Sequence, residues 1–373
     1  MKTLHLSSLM LCVGLAWAGA AQAQVKLGVV GPMTGPNAVF GKEILDGTKL
    51  AVDDINAAGG VLGQKIEIDE GDDVSDPKQG VSVANKLAAD GVKLVVGHYN
   101  SGVNIPASEV YEDNDMLDIS PGATNPKLTD RGMWNVFRTC GRDDQQGAVA
   151  GAYLAKELKG KKVAFIHDKT TYGKGLADET RKVALAKGVP EVLYEGVNAG
   201  EKDYSAIVSK IRESGADVVY WGGLQTEGGL IARQMHDQGM KVQIMSGDGI
   251  VTNEYATIGG DAVIGTLMTF GPDPAKKASA AKLVAEMKAK NVDPGAFVFY
   301  SYAAVEIMKQ AADTAKSLDS HQMADAIHSG MIFHTVLGDL SFDAKGDRKD
   351  PDYVMYSWNK DAAGQITYTE LAK

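Results

Sequence analysis

Apolar residues along this chain follow two alternating rhythms. VKLGVVG (25–31) is a short, valine-rich apolar run that predicts a strand. After it, Phe40, Ile44, Ala51 and Ile55 recur at spacings of four, seven and four, which line one face of a helix. Gly59 and Gly60 stop that helix. KIEID (65–69) predicts a second strand, and Asp76-Pro77 opens the next helix with proline at its first position. KLVVG (93–97) is a third strand, a helix begins at Ser101, and MLDIS (116–120) is a fourth strand. The rhythm restarts after residue 143. KVAFIH (162–167), EVLYEGV (191–197), DVVYWG (217–222) and VQIMSG (242–247) are strands, with helices between them ending at Gly188, Gly215 and Gly239. Residues 275–330 are mostly helical, and TVLGDLSFD (335–343) and YVMYSW (353–358) are the last strands.

Short apolar strands alternating with amphipathic helices predict an α/β fold with parallel sheets. Two such runs predict two doubly wound lobes, and the length accommodates two domains. Ligands of open parallel sheets bind beyond the carboxyl ends of the strands. Six segments lie there: GPMTGPNAVFG, GHYNSG, SPGATNP, HDKTTYG, WGGLQTEGG and SGDGIV. All are rich in Gly, Ser, Thr or Asn, which turn chemistry alone also favours.

Composition narrows the setting. Lys2, the apolar stretch LMLCVGLAWA (9–18) and Ala21-Gln22-Ala23 read as a secretory signal peptide over residues 1–23. Bulky Leu11 before Cys12 argues against a lipoprotein signal there. No later apolar run is long enough to span a bilayer, so the mature chain is expected free in the periplasm. The net charge of −10 opposes binding to nucleic acid or anionic membranes. Of two cysteines only Cys140 survives processing, so the mature chain has no internal disulfide, and a buried, unreactive thiol is expected. There is no G-x-S-x-G elbow, P-loop or H-E-x-x-H, so no enzyme activity and no cofactor is expected. His98 and His167 end strands, yet neither has a His or Cys at ligand spacing, so no metal is expected. His321 and His328 fall on a helix and are expected to be solvated.

DINAAGG (54–60), SDPKQGVSVANK (75–86), GVKLVVGH (91–98), PASEVYED (106–113), SPGATNPKLT (120–129), IHDKTTYGKGLA (166–177) and GEKDYSAIVSKI (200–211) resemble the leucine/isoleucine/valine-binding protein family. These are type I periplasmic binding proteins of amino-acid ABC importers, and the resemblance runs collinearly through residues 24–373. It implies two lobes joined by three crossovers, the first formed by residues 24–142 plus 271–350, the second by 143–270 plus 351–373. It implies a periplasmic monomer that closes like a flytrap on a branched-chain or other neutral amino acid and delivers it to a membrane permease. The same fold also serves amino-acid and amide sensors, but this chain carries no output domain.

The resemblance also implies the ligand site. Positions matching Ser101, Ala123 and Thr124 hold the ligand carboxylate and part of its ammonium. That fits a helix N-terminus, where free N–H groups and the dipole favour an anion. Helix capping explains Ser101 and Thr124 equally well from sequence alone. Asp248 stands where the family usually has Glu and would face the ammonium, and Tyr172 would close on the ligand from the second lobe. The pocket departs from the family. Tyr99 replaces an aliphatic residue, Phe40 a Trp or Tyr, and Leu224 a tyrosine, with Trp221 close by. Gly122 lies in the same loop as Ala123 and Thr124. Many members join two loops by a disulfide whose positions here are Ser75 and Asn100, the latter between Tyr99 and Ser101. A bulky Tyr99 and an acid about 1.5 Å shorter, one C–C bond, predict a ligand with little side chain or a longer span between its charges. Examples are alanine, proline or 4-aminobutyrate.

Overall fold

A computed structural model describes residues 24–349 and 352–372. The expected signal peptide lies outside the described residues. The strands are β1 (Val25–Gly31), β2 (Ile66–Asp72), β3 (Leu94–Val96), β4 (Leu117–Ser120), β5 (Val136–Arg138), β6 (Val163–His167), β7 (Glu191–Gly196), β8 (Val218–Gly222), β9 (Gln243–Ser246) and β10 (Leu267–Phe270). They are followed by β11 (Phe333–Thr335), β12 (Gly338–Leu340), β13 (Val354–Lys360) and β14 (Ile366–Glu370). The helices are α1 (Ala38–Ala57), α2 (Pro77–Ala89), α3 (Ser101–Asp113), α4 (Lys127–Asp130), α5 (Asp143–Lys156) and α6 (Thr171–Ala186). Those that follow are α7 (Ser205–Ser214), α8 (Gln225–Asp237), α9 (Asn253–Gly259), α10 (Ala281–Lys290), α11 (Ala296–Ala315) and α12 (Ser320–His328).

Two sheets organise the chain. The first runs β2-β1-β3-β4-β5, all parallel. The second runs β14-β13-β10-β9-β8-β6-β7, parallel from β10 to β7 and antiparallel at β13 and β14. Central strands such as β3, β4 and β8 are buried along their whole length. That requires cover on both faces and explains their continuous apolar sequence. The period-2 alternation then sorts the side chains. Leu27, Val29, Leu94, Val96, Leu117 and Ile119 join the core that holds Phe40, Ile44 and Phe297. Val30, Val95 and Met116 join a separate core with Val83, Leu87, Ala107 and Tyr111 from α2 and α3.

The chain passes between the two sheets more than once. After β10 it returns to pack α11 against α1 and α12 against α11 and β4, and then rejoins the second sheet through β13. At the crossings Arg138 Nε lies 2.7 Å from Asp347, and Arg142 Nη1 lies 2.6 Å from the same carboxylate. Strand order reverses between β1 and β3 in one sheet and between β6 and β8 in the other. These are the switch points where doubly wound sheets open a crevice.

Some predicted details change. The strand predicted over 335–343 is a tight hairpin of β11 and β12, because Gly338 takes φ of +89° and reverses the chain. β5, β10 and β14 were not visible as apolar runs, being short or partly exposed edge elements. His321 is exposed but stacks on Trp134 at 3.7 Å and meets Asp115 at 2.9 Å. His328 is half-buried against Phe137 rather than solvated.

Candidate functional site

The first lobe contributes two loops. One follows β3 and carries Tyr99, Asn100 and Ser101, and the other follows β4 and carries Gly122, Ala123 and Thr124. At the N-terminus of α3, Val103 and Asn104 donate to the Asn100 carbonyl, while the N–H groups of Ser101 and Gly102 have no acceptor among the described residues. The Ser101 hydroxyl is buried and accepts from the Asn125 N–H at 3.2 Å. Ser120 ties the second loop, donating to the His98 carbonyl and accepting from the Ala123 N–H. Ala123 is therefore left with one lone pair on its carbonyl, since Arg138 donates to the other at 2.7 Å. The Thr124 hydroxyl is buried with no partner among the described residues.

Aromatic rings wall this surface. Tyr99 stacks on Phe40 with centroids 4.1 Å apart and meets the edge of Phe297 at 5.0 Å. Gly122 lets the ring lie flat on the loop, because a Cβ there would come 2.6 Å from Tyr99 Cδ2. Tyr99 therefore points inward.

The second lobe contributes an acid and a phenol. Tyr172, in the first turn of α6, donates to Asp248 Oδ1 at 2.8 Å and accepts from the Gly249 N–H at 2.8 Å. The Asp248 N–H donates to the Gln146 side-chain carbonyl at 3.2 Å, and Thr269 donates to that oxygen too. Burial pushes the Asp248 carboxyl up to about 6, although the Gln146 and Tyr172 side chains favour its charged form. Burial and the Asp248 charge both push the Tyr99 phenol well above its usual range, so groups from the two lobes share one region.

The lobes meet directly as well. Asn125 Nδ2 donates to the Thr171 carbonyl at 2.9 Å, and Gln225 Nε2 donates to the Pro36 carbonyl at 3.1 Å. A Cβ on Gly102 would lie 3.2 Å from Thr171 Oγ1. The cleft is closed, with Ser101, Thr124, Tyr172 and Asp248 all buried. The roomier cavity of about 480 Å³ lies elsewhere, among Leu158, Met235, Met240 and Ile264 of the second lobe, and holds none of these groups.

Three further predicted residues make contacts within their own lobe. Asn100 gives its side chain to the rim, where Oδ1 accepts from Ser75 at 2.9 Å, and Ser75 accepts in turn from Asn37. A hydrogen bond thus stands where the family resemblance implies a disulfide. Leu224 is buried as the residue before α8, and its carbonyl accepts from Trp221 Nε1 at 3.1 Å. Trp221 packs under Gly223 and Gly228, bracing that loop from inside the second lobe. Cys140 is buried, and burial pushes its thiol up to about 12, which disfavours the thiolate. His98 is held between Asp73 at 2.7 Å and Tyr111 at 2.8 Å in the first-lobe interior. Among the described residues no cluster of three metal-ligating side chains occurs. Sequence reading missed Asp143, Gln146, Asn125 and Gln225. The first two stand in RDDQQG at the lobe crossing, and that position is the one signal that pointed to them.

A family model described as periplasmic binding protein matches residues 24–364. The Leu/Ile/Val-binding protein homolog 1 of Brucella abortus (strain 2308) is 56% identical over 369 residues, covering 99% of each chain. The crystal structure of the leucine-binding protein LivK from Thermotoga maritima superposes with a TM-score of 0.86 at 27% identity, covering 92% of this chain and 97% of its own. That of the branched-chain amino acid transporter substrate-binding protein LivJ from Streptococcus pneumoniae, in complex with isoleucine, gives 0.83 at 27% identity over 94% and 100%.

Proposed function

Because this chain belongs to the periplasmic binding protein family, we propose that it is the substrate-binding component of an ABC importer for a small neutral amino acid. The protein works in the periplasm as a monomer and hands its ligand to a membrane permease. It binds rather than transforms the ligand. The observation that carries this reading is the convergence, in one buried place, of an acid and a phenol from one lobe with unpaired donors and a free hydroxyl from the other. A zwitterion needs that division. Its carboxylate takes the hydroxyl of Ser101 and the free N–H groups at the start of α3. Its ammonium takes Asp248, the Ala123 carbonyl and Thr124. Tyr172 holds the Asp248 carboxylate at the angle at which it meets the ammonium.

Closure of the two lobes about the crossings near residues 142, 270 and 350 buries the ligand and excludes water, which strengthens each charged hydrogen bond. The Asn125 and Gln225 contacts across the cleft belong to that closed form. The rim chain Asn100–Ser75–Asn37 keeps the first-lobe loops in place for it.

The pocket wall favours the smaller end of the class. Relatives carry names for leucine, isoleucine and valine binding. Here the Tyr99 ring, stacked between Phe40 and Gly122, fills space on the side-chain wall. We therefore favour alanine, proline or 4-aminobutyrate over leucine. Calorimetric titration of the purified mature protein with these four compounds tests both levels. Binding of any of them supports the amino-acid reading, and binding of none overturns it. Tighter binding of leucine than of the other three overturns the small-ligand preference alone.

A further inference from the structure

Asp143 is the first residue of α5, where the chain leaves the first lobe. Its side chain is fully buried, and neither carboxylate oxygen has a hydrogen-bond partner of proper geometry among the described residues. Buried charges without partners are strongly unfavourable, and native structures complete them with a bound group or with water. The backbone N–H of Asp143 donates to the Thr124 carbonyl at 3.0 Å, which locks the two residues side by side. Thr124 Oγ1 is buried and unpaired too. The hydroxyl nevertheless sits close enough to favour the charged form of the carboxyl. The two groups are neighbours whose bond is not closed.

A hydroxyl can both donate and accept, and an ammonium can only donate. If the hydroxyl hydrogen is given to a carboxylate, the lone pairs remain for a cation. Resting on the amino-acid reading of the cleft, we propose that Asp143 is the positioning residue that takes the Thr124 hydrogen and turns the Thr124 oxygen toward the ligand's ammonium. The ammonium then meets one acid directly, Asp248, and a second through Thr124. An oxygen acceptor at the same spot meets only lone pairs and is rejected.

The charged and titratable groups facing Asp143 are Asp248 after β9 of the same lobe, Arg138 on β5, Asp144 on its own helix, Tyr172 on α6 and Tyr220 on β8, with Cys140 and Tyr353. Burial first, and the Asp248 charge next, raise the proton affinity of Asp143, and Thr124 and Arg138 oppose them. An incoming ammonium offsets the Asp248 charge and favours ionised Asp143. Ligand binding therefore releases a proton from Asp143, and affinity climbs with pH until that proton is gone.

The test is calorimetry of the full mature chain with 4-aminobutyrate and leucine from pH 5 to pH 9, using whichever the wild type binds more tightly. Asp143→Asn is expected to weaken binding by about tenfold or more and to remove one proton-linked step, leaving that of Asp248. Thr124→Val is expected to do the same, Thr124→Ser to restore binding, and the double variant to lose no more than about twofold beyond Thr124→Val. Losses that add in the double variant, or Asp143→Asn with wild-type affinity and pH profile, overturn the proposal. If wild-type protein binds no amino acid at all, the functional reading fails first. Should Asp143→Asn not fold, ¹³C NMR of the aspartate carboxyls in wild-type protein decides. A ligand-dependent deprotonation that Thr124→Val abolishes supports the pairing, and carboxyl signals that ignore the ligand overturn it.

Discussion

Asp248 and Tyr172 lie 76 positions apart in the chain and share a 2.8 Å hydrogen bond. Removing either partner does different damage. Asp248→Ala leaves a buried ammonium without its counter-charge, which costs about 3–5 kcal/mol, or roughly a hundredfold or more in affinity. Tyr172→Phe removes the hydrogen bond to the carboxylate, about 1.5–3 kcal/mol, and the acceptor of the Gly249 N–H, but leaves the counter-charge in place. Calorimetry should therefore rank Asp248→Ala as the more harmful. The wall residue acts on choice rather than strength. Tyr99→Leu opens the stack against Phe40 and Phe297. It is expected to improve leucine binding relative to alanine, read from the ratio of the two dissociation constants. Both loops were legible as Gly-, Ser- and Thr-rich segments after strands. Which of their atoms are free was not, because Ser120 and Arg138 take up part of the Ala123 backbone while Thr124 is left open.

Elements govern how firmly the closed form is held. Asn125, ahead of α4, and Gln225, at the start of α8, each bond to a carbonyl of the other lobe. Neither is assigned a ligand contact. Asn125→Ala is expected to weaken every ligand by the same few-fold factor, about 1 kcal/mol for one hydrogen bond. A change in the rank order of ligands would place Asn125 in the pocket instead. The rim bond between Ser75 and Asn100 allows a second check. Ser75→Cys with Asn100→Cys puts two thiols where two loops already touch. Oxidation is expected to form a disulfide and raise the melting temperature by several degrees, since such a link stabilises by about 2–4 kcal/mol. Thiol titration before and after oxidation shows whether the link has formed.

Across the whole molecule, closure is linked to protons. The Asp248 carboxyl, raised to about 6 in the closed form from an ordinary value near 3.8, holds its proton more tightly when buried. For a raised acid, the favourable contribution is complete below the ordinary value and is lost as pH rises through about 6. The ligand-free protein is therefore expected to be more closed at pH 4.5 than at pH 8. Small-angle scattering of apo protein reads this as a smaller radius of gyration at the lower pH. A radius that does not move between those conditions would argue that Asp248 stays solvated. With ligand the sign reverses, because the ammonium stabilises the charged carboxylate.

The repeated strand–helix rhythm by itself determined the α/β class, the parallel strands of both sheets and the loops at their carboxyl ends, but not the antiparallel β13 and β14 added to the second sheet. Val29 and Val30 had to face opposite cores once that strand formed, and Pro77 and Gly215 marked helix ends. These are local properties, set by backbone geometry and by burial that repeats at a fixed period. Tertiary structure alone decided the rest. It turned Tyr99 inward, gave Asn100 to Ser75 and sent Trp221 beneath its own loop. It also set Asp143 beside Thr124, and Tyr172 on Asp248. The reason is physical. Whether a polar atom is free for a ligand depends on whether a distant residue has already taken it, and no spacing along the chain carries that information.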